Sequence, residues 1–352
     1  MALPDVGTAA LAGRMLSEQI TNSDPLRAAA QGAMYAPSVH NTQPWRFAIL
    51  GDRLEVFADR DRGLPVIDPS GRELHISCGA AIYCARVTLR ALGKRIQVRL
   101  LPDDTNPDHL ATIEIIGQHA PSDADMALMD ALPVRHTERT QFGAGQLPAA
   151  LVAEFADGTA AEGAWLRQID AEHGEIPTAV LLAHADDIEV ADAGYRAELA
   201  AWSRSDGDVE GIPRRAVPAI PPALRASNYR LRDFSVQAPT SRPRARPDGP
   251  PPVERPLVVL LGTLGDNPDA WLSAGQALGW LLLRAAAAGV AASPMTQVLE
   301  VASTRSRLVR ELDLIGHPQM LLRMGYGCAA PMTHRRPLEE LLGAGPAVPE
   351  IR

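Results

Sequence analysis

One stretch of this chain recurs, without a gap, 196 positions further on. Ile76-Ser77-Cys78-Gly79-Ala80-Ala81-Ile82-Tyr83, running on to Leu92-Gly93, lies over Leu272-Ser273-Ala274-Gly275-Gln276-Ala277-Leu278-Gly279, running on to Ala288-Gly289. Five of the eighteen aligned positions are identical: Ser77/Ser273, Gly79/Gly275, Ala81/Ala277, Ala91/Ala287 and Gly93/Gly289. Both copies read as helices that stop at a glycine, the residue that most easily takes the left-handed conformation of a helix end. Both lead into a β-prone stretch, Ile96–Leu100 in one and Gly289–Ala291 in the other. The small residues Gly79, Ala80, Ala81, Gly275, Ala277 and Gly279 would let two such helices approach closely. The repeat suggests two copies of one α+β unit fused head to tail.

The rest of the pattern fits. With 352 residues, 46% of them hydrophobic, the chain has room for about two domain-sized units and a sizeable core. Strands are expected at Trp45–Leu50, Arg53–Phe57, Ala111–Ile115, Ala164–Ile169, Leu257–Leu261 and Gln319–Met324. Gly51-Asp52-Arg53 is a short hairpin turn between the first two. Leu257–Leu261 is apolar throughout, as a central strand covered on both faces should be. Helices fall between, at Asp24–Met34, Asp123–Leu132 and Pro148–Phe155. The expected class is α+β, with sheets covered by helices.

Several functions are excluded or disfavoured. The net charge is −8, which disfavours general nucleic-acid binding. Only one lysine exists, Lys94, and Arg95 follows it where a P-loop needs Ser or Thr. Anions must therefore be held by arginine, histidine or backbone N–H groups. Cys78, Cys84 and Cys328 are too few for a disulfide framework, and their odd number fits a reducing compartment. Cys78 and Cys84 read as buried, inert thiols. No zinc-type Cys/His spacing appears, so no metal is expected. The start of the chain, Met1–Asp5, lacks a basic and apolar leader, and Ala277–Ala292 is broken by Arg284 and too short to span a bilayer. A cytoplasmic protein is expected.

Ser203–Pro256 changes character: 11 of the 30 prolines and ten arginines fall in 54 residues. Pro243, Pro247 and Pro250–Pro252 forbid regular helix. Composition favours a flexible surface linker. Ile212, Val217, Ile220, Leu224, Tyr229, Leu231 and Phe234 offer apolar anchors, and long insertions in compact chains are often lids. Both readings stand.

Three segments carry chemistry. Ala36-Pro37-Ser38-Val39-His40-Asn41-Thr42-Gln43-Pro44-Trp45 is a rigid polar loop suited to the edge of a planar heterocycle. Arg135-His136-Thr137-Glu138-Arg139 sets two arginines four apart with a hydroxyl between them, which can converge on one phosphate. Thr333-His334-Arg335-Arg336-Pro337-Leu338-Glu339, after Gly325-Tyr326-Gly327, could close the same site.

Taken together, these strings resemble the FMN-dependent nitroreductase family. Its Arg-x-Ser/Thr-x-Arg, Ala-Pro-Ser-x-x-Asn-x-Gln-Pro-Trp, Gly-ended helix, Gly-Tyr-x and Pro-Leu-Glu elements are all present, but out of the usual order. This order is similar to the Acg-type subgroup, with two nitroreductase-like halves in one chain. The resemblance implies halves at 1–122 and 123–352, forming an internal pseudo-dimer, with 203–256 as a candidate lid. It implies one FMN per chain. Ser38, Val39, His40, Asn41 and Gln43 would touch the ring, with Pro294, Met295, Thr296 and Gln297 near its edge. Arg135, His136, Thr137, Arg139, Arg335 and Arg336 would hold the phosphate. It further implies hydride transfer from NAD(P)H to a nitroaromatic, quinone or similar flat acceptor, with no catalytic side chain required. The chain would be a monomeric pseudo-dimer or a homodimer. The alternative is an FMN-sequestering protein whose lid blocks turnover.

Overall fold

The computed structural model describes residues 24–216, 229, 230, 232, 234, 254–327 and 333–343. Met1–Asp5, Cys328, and Val217, Ile220, Leu224 and Leu231 of the insertion lie outside them, as does Arg225.

The chain opens with α1 (Pro25–Ala33), capped by the Asp24 side chain, which accepts from the N–H groups of Leu26 and Arg27. A hairpin follows, β1 (Trp45–Leu50) and β2 (Arg53–Ala58), turning at Gly51 with φ 62°. Then come α2 (Arg72–Ala91), β3 (Lys94–Leu100) and β4 (His109–Gln118). These strands form an antiparallel sheet in the order β1-β2-β4-β3.

After α3 (Asp123–Ala131) and α4 (Ala149–Ala161) the pattern starts again. The second antiparallel sheet, in the order β5-β8-β10-β9, draws on β5 (Trp165–Ile169), β8 (Leu257–Thr263), β9 (Ala291–Pro294) and β10 (His317–Gly325). β8 is central and almost wholly buried, as its apolar run requires. Between β5 and β8 lie α5 (Glu175–Ala191), α6 (Ala193–Ala201) and the short parallel pair β6 (Ser203–Arg204) and β7 (Ile212–Pro213). The remaining helices are α7 (Pro268–Ala287), α8 (Gln297–Glu300), α9 (Ala302–Glu311) and α10 (Leu338–Leu341). The class is α+β, as expected.

The repeat helices are α2 and α7, and they cross at their glycines. A methyl placed on Gly79 would sit 2.3 Å from the Leu272 carbonyl oxygen; one on Gly275 would sit 2.2 Å from that of Ile76. Each glycine thus faces the carbonyl three residues before the other. Backbone approach this close admits no side chain. Gly93 and Gly289 end the two segments at φ 70° and 69°. Cys78 and Cys84 are buried in α2; burial raises both thiols above their ordinary range, Cys84 to about 12. No helix among the described residues is long and apolar enough to cross a membrane.

Candidate functional site

The loop before β1 is held in costly backbone conformations. His40, Asn41 and Gln43 lie in the left-handed region, at φ 49°, 56° and 52°. Three non-glycine residues there persist only if their surroundings over-determine them, and such strain gathers at functional sites. The Gln43 N–H donates to Ser38 Oγ at 3.0 Å, and Asn41 N–H to the Ser38 carbonyl at 3.0 Å. From α2, Ser77 Oγ accepts from the Val39 N–H at 3.3 Å. Pro37 and Pro44 fix the flanks.

Arg135–Arg139 lies along the free edge of β9. Thr137 pairs in parallel with Ala292, and the Glu138 N–H donates to the Ala292 carbonyl at 2.9 Å. This places the segment against the loop. Two adjoining hollows result. The larger, with about 1050 Å³ of atom-free space partly open to solvent, is walled by Ser38, Val39 and His40 on one side and by Leu278, Leu282 and Pro294 on the other. Ser77, Ser293 and Thr296 add hydroxyls. The smaller gathers Asn41, Thr137, Arg135, Arg139, Thr333 and Arg335. Ser38, Arg135, His136, Thr137 and Arg139 line both.

The smaller hollow is strongly cationic. Arg135 is 7% exposed, and burial lowers its affinity for its proton. Burial, then repulsion from Arg135, brings Arg335 down to about 9; burial brings Arg139 down to about 10. Among the described residues, neither Arg135 nor Arg335 forms an ion pair. Arg135 donates to the Tyr35 carbonyl at 3.2 Å and keeps a buried Nε without a partner. Arg335 donates to Met34 O at 2.7 Å, Thr333 Oγ1 at 2.6 Å and Asn41 Oδ1 at 3.2 Å. Among the described residues no acid lines this hollow, although the buried Glu138 acts on Arg139 from behind, and like charges gathered in this way can hold an anion.

Four expected site residues line neither hollow. Gln43 is fully buried, but its amide is consumed: Nε2 donates to Val209 O at 2.8 Å and Oε1 accepts from the Arg336 N–H at 2.9 Å. It is a strut between the loop, the 209–211 segment and the C-terminal segment at Arg336. Arg336 turns instead toward Asp59 at 3.8 Å and Glu340 at 3.6 Å. Met295 enters the core beside β10, while its neighbours Pro294 and Thr296 line the hollow. Gln297, also buried, reaches Asp186.

Two described residues of the insertion, Arg232 and Phe234, line the larger hollow. Phe234 stands edge-on to His40, ring centroids 6.3 Å apart, and under the Arg139 guanidinium at 5.3 Å. Arg232 grips both oxygens of Glu300 at 2.7 Å, with Glu189 3.8 Å away. Burial alone would raise Glu300, but Arg232 overrides it and holds the carboxyl down at about 2. Burial pushes Glu189 up to about 9, with the Glu300 charge helping and Arg232 opposing. Glu189 thus keeps its proton at neutral pH beside an ionised Glu300.

A contrast between two isosteric variants follows. Glu300→Gln leaves a buried guanidinium unpaired and costs about 3–5 kcal/mol. Glu189→Gln replaces an already neutral group and costs under about 1 kcal/mol. Equal losses in denaturant titrations at pH 7 would refute the assignment. The sign with pH is also fixed. The folded chain keeps the Glu189 proton up to about 9, whereas the ordinary value is 4.5. Stability from this group is present below pH 4.5 and is lost as pH rises from there to 9. The loss is smaller in Glu189→Gln.

Phe234 and Arg232 were legible only as parts of a candidate lid; Glu300, Ser77, Met320 and Arg323 were not legible as site residues. A lone Ser two residues before Gly79 in an apolar helix was the one usable signal.

Known proteins resemble the chain along almost its full length. It is 34% identical over 345 residues, 95% of this chain and 96% of the relative, to "Putative NAD(P)H nitroreductase Rv3131" of Mycobacterium tuberculosis (strain ATCC 25618 / H37Rv). It is 29% identical over 331 residues, 93% of this chain and 97% of the relative, to "Putative NAD(P)H nitroreductase acg" of the same strain. A third relative there, "Uncharacterized protein Rv3127", is 30% identical over 320 residues, 88% of this chain and 90% of the relative. No family model matches the chain. The chain belongs to the nitroreductase family, within a group of relatives that includes Acg.

Proposed function

We propose that this protein is an FMN-binding oxidoreductase of nitroreductase type, built as two fused nitroreductase-like halves at 1–122 and 123–352. The observation that carries the reading is the junction of the two hollows. A cationic hollow in which Arg135 keeps a buried Nε–H without a partner meets a mostly apolar one across the Pro37–Asn41 loop. A ring with a phosphorylated tail matches that division. Arg135, Arg139, Arg335, His136 and Thr137 would hold the phosphate, and Asn41 would set Arg335. Ser38, Val39, His40, Pro294 and Thr296 would border the ring.

When bound, the flavin accepts and passes on a hydride. The chain's own part is to orient and exclude. Leu278 and Leu282 keep one wall dry, and the strained loop holds its N–H groups in place. NAD(P)H as reductant and a nitroaromatic, quinone or similar flat acceptor complete the reading.

The second reading, flavin sequestration, is favoured by one observation: Phe234 and Arg232 of the insertion line the larger hollow. A cover there would bar a nicotinamide. Anaerobic mixing of flavin-loaded protein with NADPH separates the two. Rapid bleaching of the flavin band supports turnover; a persistent band, reduced only slowly by dithionite, supports sequestration. Protein that stays colourless in excess FMN refutes both.

A further inference from the structure

His40 is 8% exposed and lines the larger hollow. Its Nε2 lies 3.4 Å from Nη1 of Arg232. A guanidinium has only hydrogens to offer, so Nε2 must be the accepting nitrogen. The ring is neutral: burial, then the charges of Arg232 and Arg139, depress it to about 3, with Glu300 opposing. A neutral imidazole has one proton, which must then sit on Nδ1. Nδ1 is buried and has no hydrogen-bond partner among the described residues. A buried donor left unmade is rare and unfavourable, and here it belongs to a side chain on the wall of a cavity. The groups around it agree. Arg139 can only donate, and the Ser77, Ser293 and Thr296 hydroxyls that share the cavity leave Nδ1 unpartnered.

We propose that His40 is a positioning residue whose Nδ1–H donates a hydrogen bond to an oxygen of a planar ligand in the larger hollow, in a tautomer imposed by Arg232. This deepens the flavin reading and rests on it for the ligand's identity. The oxygen has two possible sources, a carbonyl of the flavin ring or an oxygen of the acceptor. In either case the cavity selects ligands that present oxygen acceptors over ones of equal shape that do not.

The test uses full-length protein with ¹⁵N-labelled histidines, the His40 signal being assigned by its loss in His40→Phe. Long-range ¹H–¹⁵N spectra are recorded at pH 7.5, then with FMN, then with 2-methyl-1,4-naphthoquinone. The Nδ1–H tautomer is expected before any addition. Its proton moves downfield on adding FMN if the flavin carbonyl accepts, and only on adding the quinone if the acceptor does. Arg232→Met is expected to admit the other tautomer and return the His40 pKa toward 6.5. If the acceptor supplies the oxygen, His40→Phe should lower the binding preference for the quinone over 2-methylnaphthalene about tenfold, with binding of the hydrocarbon unchanged; if the flavin supplies it, His40→Phe should instead weaken FMN binding by a similar factor. An Nε2–H tautomer in the parent overturns the inference, as does an Nδ1–H signal unmoved by either ligand. If FMN does not bind, the flavin reading fails, and the quinone additions alone decide the role of His40.

Discussion

Arg135→Met lowers the affinity for FMN about ten- to a hundredfold and leaves the flavin-free chain at least as stable as the parent. The two halves of this expectation have separate causes. A charge-assisted hydrogen bond to a phosphate contributes ~1.5–3 kcal/mol, which is about one to two orders of magnitude in Kd. In the flavin-free chain the same guanidinium is a burden. It is buried, its Nε has no partner, and it raises the cost of charging Arg335 nearby. Removing it forfeits one 3.2 Å bond to Tyr35 O and relieves that repulsion. Equilibrium dialysis with FMN and a thermal melt of the flavin-free variant measure the two halves. Unchanged affinity rejects the phosphate assignment. A large fall in melting temperature would make Arg135 a structural residue instead.

Gly275→Ala, the second large effect, destabilises the chain by about 3 kcal/mol or more, although alanine is the better helix former by ~0.8–1.0 kcal/mol. The new methyl would lie 2.2 Å from the Ile76 carbonyl oxygen and 2.8 Å from the Gly79 α-carbon, so the two backbones must part. Parting them opens the wall of the larger hollow, because Ser77 lies on one helix and Leu278 and Leu282 on the other. Gly79→Ala meets the same obstacle from the other side, so the double variant should cost less than the sum. Gly289→Ala is the control. It has open space around it and pays only for its φ of 69°, about 1–2 kcal/mol. Denaturant titration of all four decides. Similar losses for Gly275→Ala and Gly289→Ala would dismiss the close crossing as the reason for these glycines.

Much of the frame was legible because it is written in short-range pattern. All six expected strands form, and so do the five expected helices, counting the two repeat copies, with end shifts of up to six residues. The helices α5, α6 and α9 were missed. Ile176, Val180 and Val190 on α5 are exposed, which blurs the apolar stripe that would have marked it.

At the site, the sequence by itself determined which segments line the two hollows and that α2 and α7 can touch. Proline spacing, a run of polar residues and paired glycines encode those facts within a dozen positions. Only the tertiary structure decided which side chains face the cavity. Arg335 and Arg336 are indistinguishable in sequence, yet one reaches Asn41, 294 positions away, and the other turns to Asp59. Gln43 is spent as a strut, Met295 is drawn into the core, and Arg232 meets Glu300. The protonation of Glu189 and His40 follows from burial and from charges brought in by distant parts of the chain. Local pattern fixes the conformation of a segment; partner choice and electrostatic environment arise only when segments far apart in sequence exclude water together.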